Sequence, residues 1–314
     1  MAAFIYQLFT FSSLFLLGLY HLICTTRNFL KSPQSFSAKL FHPFPPLFIS
    51  PSSSSNNSTN HHPRLKHLQL YLILVCLLIS IAHQIFVSSD SDPLIKGSTP
   101  VHRFSSLLSA AVLFLFFLLA LALLLSESTP FLPLPHDLFF ALASASFFLH
   151  YSSSASAASF QTSLLQAKCD SLSARISALT SLLCLILAFR PKLFVADAAL
   201  ALSICLHGLW ELQTGLSLYV DAFIPEGCHR LLDVVSGVES STKCDPEVSG
   251  LRAVAILDLL FLLHVLFLAL ILFLTYAFVA RCVGMKRLGS YEALPTNATD
   301  TNHIQMKALT GTQS

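Results

Sequence analysis

Residues 203–219 read SICLHGLWELQTGLSLY and place a histidine and a glutamate inside an otherwise apolar run. His207 and Glu211 are four residues apart, so on a helix their side chains lie on one face, with Gln213 on a different side. An imidazole beside a carboxylate can share a proton or bind a divalent metal ion. Trp210, the only tryptophan, points away from that face and is interpreted as a packing residue.

Further ionisable residues lie in other apolar runs. The candidate ligands for a metal site are His83, His150, His207, Asp258 and His264. The alternative is an intramembrane polar network in which His207 and Glu211 pair with Asp258 and His264. Each such hydrogen bond between helices would contribute about 0.6 kcal/mol. We favour the network, because no HExxH or similar short motif is present.

The composition indicates a membrane protein. Of 314 residues, 54% are hydrophobic and 11% are charged, whereas soluble domains carry roughly 25% charged residues. The net charge of +2 says nothing about nucleic acid, but the sequence has no Lys/Arg stripe and no Gly-rich phosphate loop, so we predict no nucleic-acid partner. The eight cysteines contain no CxxC pair, so neither a zinc site nor a disulfide scaffold is indicated. We predict the lipid bilayer as the partner and no cofactor; protein partners stay open.

Stretches of about 20 apolar residues predict membrane-spanning helices. The predicted spans are 4–24, 67–88, 104–125, 131–150, 164–189, 193–219 and 252–280. The sequence thus predicts an all-α polytopic membrane bundle of about seven transmembrane helices over residues 1–280. We expect the first span to be a retained anchor, because no positive residue precedes it.

The connections between the spans differ in length. Residues 25–66, rich in Ser, Pro and Asn, predict a disordered loop, and residues 281–314 predict a polar tail. The links at 126–130 and 190–192 are short, so spans three and four should form one antiparallel hairpin and spans five and six another.

The distribution of Lys and Arg predicts the orientation, because positively charged residues of short loops favour the cytoplasm. With the N-terminus outside, eleven fall on the cytoplasmic side and six on the outer side, with Arg175 inside span five. We therefore predict an extracytoplasmic N-terminus and a cytoplasmic C-terminus. His21 and Asp197 then lie near the inner ends of their spans, and the other intramembrane candidates lie in the middle or outer half.

This orientation has two consequences. The acceptor sequences at Asn57 and Asn297 should carry no sugar, because they face the cytoplasm. Cys228 and Cys244 fall in an outer loop, where an oxidising compartment would allow a disulfide, although two unpaired thiols are the alternative.

Four segments carry a family resemblance. GLYH lies at 18–21, HGLWELQTGLSLY at 207–219, PEGC at 225–228 and LDLLFLLHVLFL at 257–268. Together they resemble the plant branch of the transmembrane protein 45 family, also called domain of unknown function 716, across nearly the whole chain. The resemblance implies a multi-pass protein of about seven helices without an established activity. For some plant members it implies an association with responses to viruses or other pathogens.

The chain departs from that family in one stripe. Relatives carry H-x3-H-x3-E-x3-H after the fourth span, and positions four apart share one helical face, where they could hold a metal ion. Here His150 keeps the first position, but Ser154, Ala158 and Thr162 replace the other three groups.

Three function classes remain open. We favour a non-catalytic membrane protein with a structural, regulatory or partner-binding role, linked through the resemblance to plant stress or pathogen response. The alternatives are a membrane-embedded metal-dependent hydrolase and a transporter or receptor-like bundle that uses the intramembrane His, Asp and Glu residues. A hydrolase would need at least three ligands to converge at one depth.

Overall fold

The structure is a computed structural model, and it describes residues 2–43, 67–89, 98–129, 133–232, 239–245 and 247–283. Its seven long helices are α1 Ala2–Lys31, α2 Leu68–Val87, α3 Ser98–Ser128, α4 His136–Phe160, α5 Leu164–Phe189, α6 Phe194–Tyr219 and α7 Glu247–Val283. Within the described residues, six of these, all except α4, are long and apolar enough to cross a membrane. The predicted fold class, an all-α membrane bundle, is confirmed.

Helix α4 runs antiparallel to both of its neighbours in the chain. Near its C-terminal end, Ser153 lies 3.4 Å from Ser109, close to the start of α3. In its middle, His150 lies 2.8 Å from Ser177 of α5. The second half of α4 is rich in Ser and Ala, which lowers the mean hydropathy of the helix. The helices α3, α4 and α5 nevertheless alternate in direction.

A close seam joins the first helix to the sixth, which is not one of the predicted hairpin pairs. The most extensive helix contacts are α4 with α5 and α1 with α6. A Cβ atom on Gly18 would lie 2.7 Å from the carbonyl oxygen of Ala201, and one on Gly208 would lie 2.9 Å from the backbone nitrogen of Phe15. Glycine therefore sets the distance between these antiparallel helices.

The short helix α2 shows which residues lie at mid-depth. Its 20 residues extend about 30 Å, which matches the hydrocarbon core. Cys76, near its middle, lies 3.6 Å from Ser13 of α1. The neighbouring turns of α1 pack on Gly208 of α6. His207 therefore lies near the middle of the bilayer.

A β-hairpin that the sequence analysis did not predict closes one end of the bundle. Strands β1, Cys228–Leu232, and β2, Glu239–Cys244, pair antiparallel. The Thr242 hydroxyl donates to the carbonyl oxygen of Leu218 at 2.9 Å, and the Ser163 hydroxyl donates to the carbonyl oxygen of Thr242. We call this side the hairpin end and the opposite side, where α5 and α6 are linked, the Pro191 end.

The helix boundaries differ from the predicted spans at several places. Helix α1 continues through Lys31 rather than stopping at residue 24, and Pro33 follows it. Helix α4 begins at His136 rather than at 131, because Pro135 occupies its N-cap and proline is excluded from a helix interior. Helices α3 and α7 also begin earlier than predicted, at Ser98 and Glu247.

Part of the predicted disordered loop 25–66 is folded onto the bundle. Beyond the end of α1, four described side chains of this loop are almost fully buried: Phe36, Ala38, Phe41 and His42. The Ala38 N–H donates to the carbonyl oxygen of Pro191 at 2.7 Å. The polar composition of the whole loop concealed this apolar stretch. Residues 44–66 lie outside the described part, as do the acceptors Asn57 and Asn297 and the predicted tail after residue 283.

Candidate functional site

A group of polar side chains meets between α4, α5 and α6 at mid-depth. We call it the His207 cluster; its members are His150, Ser173, Ser177, His207 and Glu211. The rings of His150 and His207 have centroids 5.4 Å apart. Position 150 follows an apolar stretch of α4, and positions 207 and 211 share one face of α6. The structure therefore brings together two candidates that the sequence analysis had placed on separate spans.

Serine hydroxyls of α5 hold both imidazoles of this cluster. The Nδ1 atom of His150 lies 2.8 Å from Ser177 Oγ. The Nε2 atom of His207 lies 3.4 Å from Ser173 Oγ and 3.7 Å from Glu211 Oε1. The His207–Glu211 distance exceeds that of a good hydrogen bond. The nearest polar partner of His207 Nε2 is thus Ser173. The Glu211 carboxylate lies on the same side, slightly beyond hydrogen-bond distance.

More polar groups extend the cluster toward the hairpin end. The Gln7 side chain of α1 lies beside Glu211. The Gln161 amide donates to Asp170 at 3.3 Å. Beside them the Tyr6 ring stacks on His83, with centroids 3.6 Å apart. The predicted candidate His83 therefore sits at the edge of this region, against α1.

The two predicted partners on α7 have other contacts. Asp258 accepts from the Lys168 ammonium group at 2.7 Å. The Nδ1 atom of His264 lies 2.6 Å from the Leu260 carbonyl oxygen of its own helix, and its ring meets Trp210 edge-on. The structure therefore does not bring the four-residue network together, because Trp210 lies between the His207 cluster and α7.

The metal candidates are dispersed in the same way. His150 and His207 are in contact, whereas His83 stacks on α1 and Asp258 and His264 face other partners. Among the described residues, no group of three or more His, Cys, Asp or Glu side chains is arranged to hold a metal ion.

Trp210 packs as predicted from its position on α6, and it adds a polar contact. Its side chain is fully buried, and its indole N–H donates to the Cys169 carbonyl oxygen at 3.0 Å. The ring lies in an apolar core that Leu172, Ile176 and Leu257 share. The only tryptophan thus connects α5, α6 and α7 directly beside Glu211.

A second buried cluster lies toward the Pro191 end, and the sequence analysis did not pair its members. We call it the Asp197 cluster; it contains His21, Thr25, His42 and Asp197. The Asp197 oxygens lie 2.8 Å from His21 Nε2 and 2.9 Å from Thr25 Oγ1. The sequence analysis placed both His21 and Asp197 near the inner ends of their spans. This shared depth is the sequence signal that could have paired them.

The predicted disulfide positions face each other across the β-hairpin. Cys228 and Cys244 are joined by a bond of 2.01 Å, and they are also partners in the strand register. Gly227, with a φ of 82°, supplies the left-handed turn before β1. A Cβ atom there would lie 2.3 Å from the hydroxyl of Ser249.

Comparison with known families finds a match in the C-terminal half of the bundle. Residues 136–277 match DUF716, a family of unknown function. The match runs from the start of α4 into α7 and includes the His207 cluster. It confirms the predicted resemblance to domain of unknown function 716 for these residues, which are fewer than half of the chain. No curated protein matches the chain.

Proposed function

We propose that this chain is a non-enzymatic regulatory protein of a membrane and that its bundle responds to protonation of the His207 cluster. The observation that carries the proposal is the mid-depth contact of His150 with His207 beside Glu211. Ionisable groups at this depth are costly to retain and mark functional sites by default. Protonation of Glu211 would remove the charge that its carboxylate presents to the His207 imidazole 3.7 Å away, which leaves Ser173 as the near contact of His207.

The groups around the cluster define what else could titrate. Tyr6 of α1, with His83 of α2 stacked on it, faces Glu211, and Asp170 of α5 lies on the same side. On the α7 side, the His264 ring meets Trp210 edge-on. A pH response assigned to the His207 cluster must therefore be separated from one that arises at His264.

Trp210 provides an intrinsic reporter for the experiment. It neighbours Glu211 in sequence and bonds the backbone of Cys169, next to Asp170. We expect the tryptophan emission of the protein in lipid nanodiscs to change reversibly between pH 8 and pH 5. His207→Gln and Glu211→Gln should abolish that change, because the attraction between the two groups is lost.

The matched control is His264→Gln, which removes an imidazole beside the same tryptophan without touching the cluster. This variant should keep the transition of the wild type. A constant emission in the wild type, or a transition that only His264→Gln abolishes, would contradict the proposal.

The orientation is part of the proposal. We place the hairpin end outside the cytoplasm, which is supported by the Cys228–Cys244 bond. Cations concentrate at the Pro191 end: Arg27, Lys31, Lys39, Arg190 and Lys192. The positive-inside rule associates such residues with the cytoplasm. The resemblance to the plant transmembrane protein 45 family extends the proposal to a role in plant stress or pathogen response.

A further inference from the structure

Arg175 occupies an unusual position for a cation. It lies on α5, two residues beyond Ser173, which contacts His207 near the middle of the bilayer. Arg175 is the eleventh residue after Leu164, the start of α5, which corresponds to a rise of about 16 Å. Its depth therefore places it well inside the hydrocarbon core.

The Arg175 side chain faces away from the bundle. It is exposed, and so are Leu179 and Leu182, which follow it on the same face of α5. Leucine on this face meets lipid without cost, whereas an arginine at the centre of a span is costly to insert. The long side chain can bend toward the headgroups, but the nearest helix end is several turns away.

Nothing in the described residues neutralises this charge. Arg175 forms no hydrogen bond or ion pair with any of them, whereas Lys168, two turns nearer the hairpin end, is paired with Asp258. The pairing of Lys168 shows that a carboxylate of a neighbouring helix can neutralise a cation on α5. Arg175 lacks the corresponding carboxylate.

We propose that Arg175 binds a transmembrane helix of another protein, one that carries an aspartate or glutamate at mid-depth. Charge complementarity fixes the chemistry of the partner, because a carboxylate against guanidinium forms a bidentate, charge-assisted pair. The leucines on the same face would pack on the apolar surface of that helix. This inference rests on Arg175 alone and stands whether or not the His207 cluster responds to pH.

A second copy of this chain is the less favourable occupant. The described carboxylates nearest in depth are Asp170, Glu211 and Asp258. The first two lie against the bundle's own polar groups, and the third is held by Lys168. A symmetric dimer along α5 would place two Arg175 side chains at one depth, where like charges repel.

The test uses three synthetic transmembrane peptides that are rich in Leu and Ala and differ only in the central residue: Glu, Gln or Leu. The protein is labelled at Cys282, an exposed free thiol, and energy transfer to labelled peptide is measured in liposomes. We expect the Glu peptide to associate at least tenfold more tightly than the Gln and Leu peptides. Arg175→Gln should remove this preference, and Arg175→Lys should retain much of it.

Two controls make the result decisive. Lys192→Gln removes an exposed cation at the Pro191 end and should leave peptide binding unchanged. Unchanged tryptophan emission of Arg175→Gln shows that the variant is folded. Equal binding of the Glu and Gln peptides, or binding that survives Arg175→Gln, would overturn the proposal. Energy transfer between two labelled copies that Arg175→Gln abolishes would also overturn it, in favour of self-association.

Discussion

Asp197 is fully buried, yet each of its carboxylate oxygens has a partner. His21 and Thr25 supply these partners from α1, a helix distant in sequence. A buried acceptor is stable only while such partners remain, since an unsatisfied polar group costs about 1–3 kcal/mol. Asp197 therefore joins α1 to α6 by polar contacts near the Pro191 end, beyond the close contact of Gly18 with Ala201.

We expect Asp197→Ala to lower the free energy of unfolding by about 1–3 kcal/mol, because His21 and Thr25 lose their shared acceptor. Thermal unfolding in detergent measures the change. Asp258→Ala is the control: its side chain is 52% exposed in the pair with Lys168, so its loss should cost under about 1 kcal/mol. Equal losses in both variants would refute the structural role assigned to Asp197.

The burial of His42, which lies outside the helices, predicts that the stability of the protein depends on pH. Burial lowers the pKa of His42 to about 3, and the neighbouring His21 adds to the effect. The unfolded chain takes up the proton near pH 6.5, whereas the folded protein resists it, so stability is complete above about pH 6.5 and falls as the pH drops toward 3. His42→Phe should flatten the fall of the melting temperature between pH 6.5 and pH 4.5. A slope identical to that of the wild type would contradict this assignment.

At the scale of helices, the seam between α1 and α6 explains why GLYH and HGLWELQTGLSLY stand out in the sequence. Gly18, Gly208 and Gly215 all lie where a Cβ atom would meet the opposite helix. The two motifs are thus two sides of one contact. Spacing alone could not reveal this, because nothing local indicates which distant helix a glycine faces.

We expect Gly208→Ala to destabilise the protein, although alanine has the higher helix propensity by about 1 kcal/mol. The added methyl group would lie 2.9 Å from the Phe15 backbone nitrogen, which cannot turn aside. Gly250→Ala is the matched control, since its nearest atom is a leucine methyl at 3.4 Å. We expect Gly208→Ala to lower the melting temperature and Gly250→Ala to leave it unchanged or raise it. A larger loss for Gly250→Ala than for Gly208→Ala would disprove the close contact of α1 with α6.

For the whole molecule, composition and apolar runs were sufficient to predict a membrane bundle and the approximate position of each long helix. The β-hairpin escaped prediction because its strands are short and polar. The predicted partners of His207 and Glu211 were on α7, whereas the structure places α5 serines and Gln7 beside them. Side-chain type indicated that these groups face inward, but the choice of neighbour depended on packing between helices.

The orientation can be tested with the cysteines that the chain already carries. In sealed microsomes, whose cytoplasmic face is outward, an impermeant maleimide should label Cys282 directly. Cys228 and Cys244 should react only after detergent and reductant are added, because the proposed orientation puts their bond on the lumenal side. Labelling of Cys228 and Cys244 in intact vesicles after reduction would reverse the orientation.

The pairing of His21 with Asp197 spans 176 positions of the chain. At about 5–20 residues per second, a ribosome takes roughly 10–35 s to synthesise that interval. Throughout this time the first helix is in the bilayer, and His21 and Thr25 have no Asp197 to bind. We therefore expect the first helix to depend on the translocon or a membrane chaperone during this interval, until α6 with Asp197 has been made.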